Sequence, residues 1–596
     1  MKTEKGFDLQ LPSNVTRISR AFRRQCSDNT LQVIYYQNGV GTSGFSPLDA
    51  FAGAAFGTGI SENIREVYSF ICANYCDGDE IVLVGFSRGA FTARSVAGLI
   101  AGIGLLTREG LEYFYPILKD VENWKVKGYE KNGDQFPQLP PLGTEDAMRK
   151  GMNRKPVFGT EATGKDYARL LLEKNFTRMS EKGGKPITIK AIGVWDTVGS
   201  LGIPDVAWLS ALGLPQSTKE YHFYDTSLSS RIEHAFHALA LDEDRPPFAP
   251  AVWERLPSCK TKLKQVWFPG THANTGGGYE EQQMGDISLA WMADQLSSVG
   301  VEFKVEELVH LFRKGRGFYY HTESGKQSLA PKPGLHQQQG RGQHHHRQQK
   351  TQENSESPKK GLLERVTGLF FSPSPAPSPP APQNNLLETM LDPLNLHWAI
   401  PPIYSPERAR VWALGMIHKS LLFPYSLAGS LDRKPGLYRR VNPTNGLEER
   451  GQFMQGTNEL VHSSARTRLA ARGLGLDDES VWSPASLKNW KLCRRRDCER
   501  DDVPGAIGLG EARWPDGKEK ERTGTKELEY PVPEKSEDDE WVWEYVGRES
   551  PVVTVMPEER IGFWERVLMG ITVGLPEFDV YEYARKNPPV WPEVEA

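Results

Sequence analysis

Residues 83–91 read LVGFSRGAF, and the fold turns on how Ser87, set between Gly85 and Gly89, is understood. The preceding IVLVGF (81–86) is a run of strand-forming residues, and RGAFTARSVAGLIAGI (88–103) has the composition of a helix. A G-x-S-x-G sequence at a sharp strand-to-helix turn projects the serine hydroxyl from the sheet edge. The glycines leave room for close backbone approach, and the serine takes a strained conformation with positive φ. The helix N-terminus places backbone N–H groups and partial positive charge where an oxyanion would form. The plainer alternative is a serine that caps the helix in a glycine turn. The strand before and the helix after favour the nucleophile.

Strand-like and helix-like stretches alternate from residue 31 to about 320, as expected for a mostly parallel sheet covered on both faces. LQVIYY (31–36) reads as a buried strand. ISENIREVYSFICANY (60–75) puts Ile60, Ile64, Val67, Tyr68 and Ile71 on one helical face, with Ser61 as its cap. PITIKAIGVW (186–195) and LKQVWF (263–268) read as further strands, and DISLAWMADQL (286–296) as a helix capped by Asp286. PSNVTRISRAF (12–22) starts a helix, so the sequon at Asn14 is structural rather than a glycosylation site. The predicted class is α/β, a doubly wound, hydrolase-like, mostly parallel sheet.

A serine hydroxyl is inert without a base to take its proton and an acid to orient that base. In doubly wound hydrolases the acid and then the histidine follow the serine in the chain, each on a loop after a strand. Asp196 in AIGVWDTVGS (191–200) and His272 in QVWFPGTHANTGGGY (265–279) meet that requirement. Asp242 and Asp244, in HALALDEDRPPFAP (237–250), are alternative acids, but no strong strand is read before them, and they are taken as loop or substrate-wall residues. His234 and His237 fall at helical spacing and are read as structural, while His462 in TNELVHSSARTR (457–468) is a reserve base. No Cys/His set has metal-site spacing and no glycine loop cradles phosphate, so neither metal nor cofactor is expected.

Taken together, PSNVTRISRA, VIYYQNGVGT, GDEIVLVGFSRGAFTARSVAGLI, IGVWDTVGSLG, HALALDEDRPPFAPAVWE and VWFPGTHANTGGGY resemble, in order over roughly residues 10–300, the α/β-hydrolase domain named for phospholipase effectors of type VI secretion, which also occurs widely in fungal proteins. TNELVHSSARTRLA is similar to a later block of the fungal members. The resemblance implies a Ser–Asp–His hydrolase whose motif positions fall on Ser87, Asp196 and His272. Such members usually begin with a strand ending in Cys/Phe-Asp-Gly-Thr-Trp, whereas MKTEKGFDLQLPSN carries none. That strand's loop supplies one oxyanion N–H in the general fold, and the residue after the nucleophile, here Arg88, supplies the other. Either the gene is truncated, or the loop of Val40, Gly41 and Thr42 compensates, or catalysis is weak.

The chain has 596 residues, 38% hydrophobic and 25% charged, with a net charge of −4, so no basic field favours nucleic acid. Six cysteines make no dense disulfide framework, which points to a reducing, cytoplasmic compartment. No signal peptide or membrane span is read in the sequence. Residues 1–325 are assigned to the catalytic domain and 326–385, Gln/His- and Pro/Ser-rich, to a disordered linker in which His344, His345 and His346 are solvated. Residues 386–500 form a helical or cap-like region expected to line an acyl pocket, and 501–596 form charged loops and an amphipathic tail. That tail, ERIGFWERVLMGITVGL (559–575), either packs on the main domain or touches a membrane surface. The expected partner is an ester or lipid substrate. A catalytically dead interaction protein and an acyltransferase using the same triad are the alternatives.

Overall fold

The computed structural model describes residues 11–39, 60–123, 130–132, 136–137, 164–198, 227–321, 410–420, 429–441, 448–495, 541–572, 574–575, 578–579 and 584. The expected linker at 326–385 and the loop of Val40, Gly41 and Thr42 lie outside these residues. Within them an eight-stranded sheet forms the centre. Its first four strands are β1 (Val82–Phe86), β2 (Ile189–Trp195), β3 (Ile232–Ala240) and β4 (Lys262–Phe268), all parallel neighbours in that order. The register pairs Phe86 with Trp195 and Trp195 with Ala238, while Ala240 pairs with Phe268. The C-terminal ends of these strands therefore align, and the loops that leave them share one rim of the sheet. In open parallel sheets that rim is where ligands bind.

Alternation along β2 splits its side chains between two cores. Ala191 and Trp195 face one cluster, and Ile192 and Val194 face the other. The first cluster packs helices Asn14–Ala21 and Gln283–Ser298 on the sheet, and the second packs Ile60–Asn74 and Arg88–Ile103. Each fully buried aliphatic side chain in these layers contributes about 1.5–3 kcal/mol relative to exposure. Ser13 caps the first helix by accepting from Thr16 N. Asn14 is fully buried and donates to Thr275 O, Gly285 O and Ser288 Oγ, so its amide is committed to the fold and unavailable to a glycan.

Several readings change. Residues 31–39 form no strand, and Leu31 and Val33 are exposed. Tyr35 stacks on Phe70 and the Tyr36 hydroxyl meets Thr16, so these aromatic rings find partners without a ladder. His234 and His237 lie on β3 rather than on a helix, which also places Asp242 and Asp244 directly after a strand. The helix read as capped by Asp286 starts at Gln283, and Asp286 instead forms a buried ion pair with Arg17. Ser61 is inside its helix, which begins at Ile60.

The C-terminal half supplies something its irregular composition did not advertise. Strands β5 (Glu459–His462), β6 (Trp490–Arg494), β7 (Trp541–Tyr545) and β8 (Val555–Glu559) extend the same sheet in the order β4-β5-β8-β7-β6. They are short and carry three Trp and three Val, residues that favour a pleated, half-buried surface. The tail helix Phe563–Thr572 packs against the first core through Trp564, Val567 and Leu568. No helix among the described residues is long and apolar enough to cross a membrane.

The two motif glycines differ in kind. A Cβ on Gly85 would lie 2.4 Å from Gly89 O and 2.6 Å from Ala90 Cα, whereas one on Gly89 meets nothing within 4 Å among the described residues. Gly85→Ala should cost about 3 kcal/mol through overpacking. Gly89→Ala should be neutral or stabilise by about 0.4–1 kcal/mol. Urea unfolding midpoints of both variants check this contrast.

Candidate active site

Ser87 leaves β1 with φ 55° and ψ −122° and ends at the N-terminus of the helix Arg88–Ile103. Nine non-glycine residues among those described have positive φ, and only Ser87, Ala413 and Arg472 of them are neither Asn nor Asp. Strain of that kind costs on the order of 1–3 kcal/mol and collects at functional positions. The Ser87 side chain makes no capping hydrogen bond, which removes the plainer explanation for a serine here. Its backbone N–H is held by Trp195 O at 3.1 Å, fixing the turn against the end of β2. The first intrahelical bond is Phe91 N to Ser87 O, so the N–H groups of Arg88 and Gly89 have no acceptor within the helix.

Asp196 follows β2, also at positive φ (36°), and is wholly buried. His272 opens a short helical turn, His272–Gly276, just after β4. Its Nδ1 meets Asp196 Oδ2 at 2.6 Å. The imidazole ring packs on Phe86, the neighbour of Ser87, at 4.6 Å between centroids, and edge-on to Phe248 at 4.9 Å. Gly276, in the same turn, lies so close to the Phe86 ring that a Cβ there would overlap it. Asp196 and His272 are therefore joined directly, and Ser87 sits on the adjoining turn. No hydrogen bond links the Ser87 hydroxyl to the imidazole among the described residues.

Burial alone would raise the Asp196 carboxyl, but the Arg433 guanidinium, the His272 contact and the Ala240 N–H outweigh it. They hold the carboxyl well below the usual carboxylate range. Arg433 binds both carboxylate oxygens, Nη1 to Oδ1 at 3.2 Å and Nη2 to Oδ2 at 3.0 Å. Sequence reasoning did not find Arg433. It stands in DRKPGLY (432–438), which matches no catalytic motif, and only the folded chain brings it to Asp196.

The other acidic and histidine candidates have structural work. Asp242 accepts from Gly270 N at 2.6 Å and from the Trp482 indole, Glu243 accepts from His272 N at 3.0 Å and from Arg245, and Asp244 accepts from Ser420 and Ser430. His462 is sealed between Ser464 at 2.8 Å and Glu565 at 2.6 Å, stacked on Phe268. Among the described residues no group of three or more His, Cys, Asp and Glu is arranged to hold a metal ion.

His237 Nε2 accepts the N–H of Thr197, the residue after Asp196, and burial, with Arg94 nearby, depresses its imidazole to about 3. The folded state thus binds fewer protons than the unfolded chain between that value and the ordinary histidine range. Stability from this group is fully present above about pH 6.5 and is lost as pH falls, by up to about 1.4 kcal/mol per pH unit. Urea unfolding of wild type and His237→Gln between pH 7 and 4 should show the steeper acid loss in wild type.

Comparison with known proteins supplies context for this rim. The family model described as "T6SS, Phospholipase effector Tle1-like, catalytic domain" matches residues 2–295. A curated relative, the uncharacterized protein YEL023C of Saccharomyces cerevisiae, is 25% identical over 268 residues, covering 43% of this chain. The match spans about a third of that relative's length, 32%. Among solved structures, the crystal structure of an uncharacterized protein from Pseudomonas aeruginosa matches at 18% identity, covering 42% of this chain and 27% of that one, with a TM-score of 0.20. The segment 2–295, just under half of the chain, is thus similar to the Tle1-like phospholipase-effector catalytic domains of type VI secretion, and it carries Ser87, Asp196 and His272.

Proposed function

We propose that this protein is a serine hydrolase that cleaves carboxylic esters, with a lipid or phospholipid as its substrate. The observation that carries the reading is the 2.6 Å contact between His272 Nδ1 and the buried Asp196 carboxylate, on the rim where the strained Ser87 turn also stands. The match of residues 2–295 to a phospholipase-effector catalytic domain supports the lipid class.

In this reading Ser87 Oγ attacks the ester carbonyl carbon while His272 Nε2 takes the hydroxyl proton. Asp196 holds the Nδ1–H and stabilises the imidazolium that forms. The Arg88 N–H, at the head of a 16-residue helix, faces the developing oxyanion. Collapse of the tetrahedral intermediate breaks the ester C–O bond, and the proton passes from His272 to the leaving alcohol. A water then attacks the acyl-enzyme by the same route and releases the acid. With an alcohol as acceptor instead, the identical sequence is acyl transfer.

A fluorophosphonate probe should label the folded wild type at Ser87, and Ser87→Ala should abolish labelling. Asp196→Asn should slow it by about 10⁴-fold, because the imidazole loses its correct tautomer. Equal labelling of Ser87→Ala, or an inert but folded wild type, would overturn the proposal. Turnover of phospholipid vesicles against short acyl esters, with and without an alcohol acceptor, then assigns the substrate class and separates hydrolysis from transfer.

A further inference from the structure

Asp196 is served by more than its imidazole. Oδ1 accepts from Ala240 N at 3.1 Å and Arg433 Nη1 at 3.2 Å; Oδ2 accepts from His272 Nδ1 at 2.6 Å and Arg433 Nη2 at 3.0 Å. The guanidinium therefore lies across the carboxylate as a two-pronged fork, and planar guanidinium matches planar carboxylate in a way an ammonium cannot. Arg433 is itself buried and is anchored from the other side: Nε donates to Glu243 O at 3.2 Å and Nη2 to Phe248 O at 2.8 Å. Those carbonyls belong to the loop that also binds the His272 N–H and packs Phe248 on the imidazole.

We propose that Arg433, which lies outside the matched family segment, is a positioning residue of the catalytic centre: it fixes the plane of the Asp196 carboxylate and keeps that group ionised, so that the proton of the Asp196–His272 pair stays on the imidazole. The inference rests on the hydrolase reading given above. A buried carboxylate with only a neutral imidazole for company would be driven towards its protonated form. The pair would then take up its next proton at higher pH, placing it on Nε2 or on a carboxyl that donates to Nδ1, and in either form Nε2 can accept no proton from a hydroxyl. The fork prevents this, at the expense of a positive charge that opposes imidazolium formation.

Among the described residues, the charged and titratable groups near the pair are Glu243 and Arg245 from the loop after β3, His237 from β3 itself, Arg94 from the helix after Ser87, and Arg433 with Tyr438 from the C-terminal half. Glu243 and Arg245 are already paired with each other, which leaves Arg433 as the cation that acts on Asp196 directly. A residue with a purely structural role would change the amount of folded protein. Arg433 should instead change the pH at which the pair takes up its proton.

The test follows carbethoxylation of His272 by diethyl pyrocarbonate, read by peptide mass spectrometry from pH 5 to 9, in full-length wild type, Arg433→Met and Arg433→Lys. The reagent reacts with neutral imidazole, so the midpoint of its rate reports the pair whether or not Ser87 is a nucleophile. In Arg433→Met, with folding checked by near-UV circular dichroism, the midpoint should rise by about one pH unit. If Arg433→Met does not fold, Arg433→Gln replaces it. Arg433→Lys keeps the charge and loses the fork, so its midpoint should stay near wild type while fluorophosphonate labelling falls by about 10–100-fold. An unmoved midpoint in a folded neutral variant, or wild-type labelling in Arg433→Lys, overturns the inference. A folded wild type that never labels at Ser87 defeats the hydrolase reading instead, and the carbethoxylation midpoints still decide the role of Arg433.

Discussion

One buried carboxylate constrains the rest of this molecule. Asp196 is fully enclosed at the end of a central parallel strand, where an isolated charge would be prohibitive. It is tolerable there because every oxygen is met by a donor and one of those donors is a cation. The cation comes from residue 433, 237 positions along the chain. The requirement that makes Asp196 useful to an imidazole thus also dictates that a distant segment be folded against the rim before the site has its geometry.

That dependence is repeated in the backbone. β4 carries His272 at its end, and its outer edge is paired by β5 through Gln265 with Glu459, Val266 with Leu460 and Trp267 with Val461. Gln265 spans the seam, donating to Thr457 O at 2.7 Å and to Trp253 O at 2.9 Å. The Trp267 indole donates to Glu459 at 2.9 Å. The turn holding His272 is buttressed in the same way, with Asn274 donating to Met416 O and Thr271 to His418 O. Without these partners, buried N–H and C=O groups along β4 would be left unpaired, a cost no compact domain sustains. The matched segment and strands β5 to β8 thus share one sheet, joined at the β4–β5 pairing.

What was legible in the sequence was what local chemistry specifies. The turn at Ser87 announces itself because glycine, apolar strand and helix are contiguous, and Gly85 is required where it stands by contacts within five residues. Asp196 and His272 are read by the same logic, each on the loop after an apolar strand, and the fold brings these two side chains together at 2.6 Å. LQVIYY misled because an apolar run has the same letters whether it pairs in a sheet or lies along the surface with its aromatic rings on Phe70 and Thr16. His237 misled because three-residue spacing suits a helix, although β3 sets it on the sheet. Arg433 had no local signature at all. An arginine reads as a solvated charge until the fold shows what it neutralises.

The loop after β3 shows how so many acidic groups share one rim. Asp242, Glu243 and Asp244 each reach a different element: Gly270 and Trp482, the His272 N–H and Arg245, and the serines 420 and 430. Three carboxylates added beside Asp196 would repel one another and the site if all were ionised in a dry setting. The molecule avoids this unevenly. Burial pushes the Asp242 carboxyl up, which disfavours its charge. Glu243, despite burial that would raise it, is held low by Arg245 with help from His272 and Arg433. Asp244 sits at the edge, and burial and the neighbouring Glu243 raise it. The fully ionised pair, Asp196 and Glu243, is matched by two guanidiniums, Arg433 and Arg245. Because Arg433 also donates to the Glu243 carbonyl, a single side chain sets both the charge balance and the spacing of the two loops that flank His272.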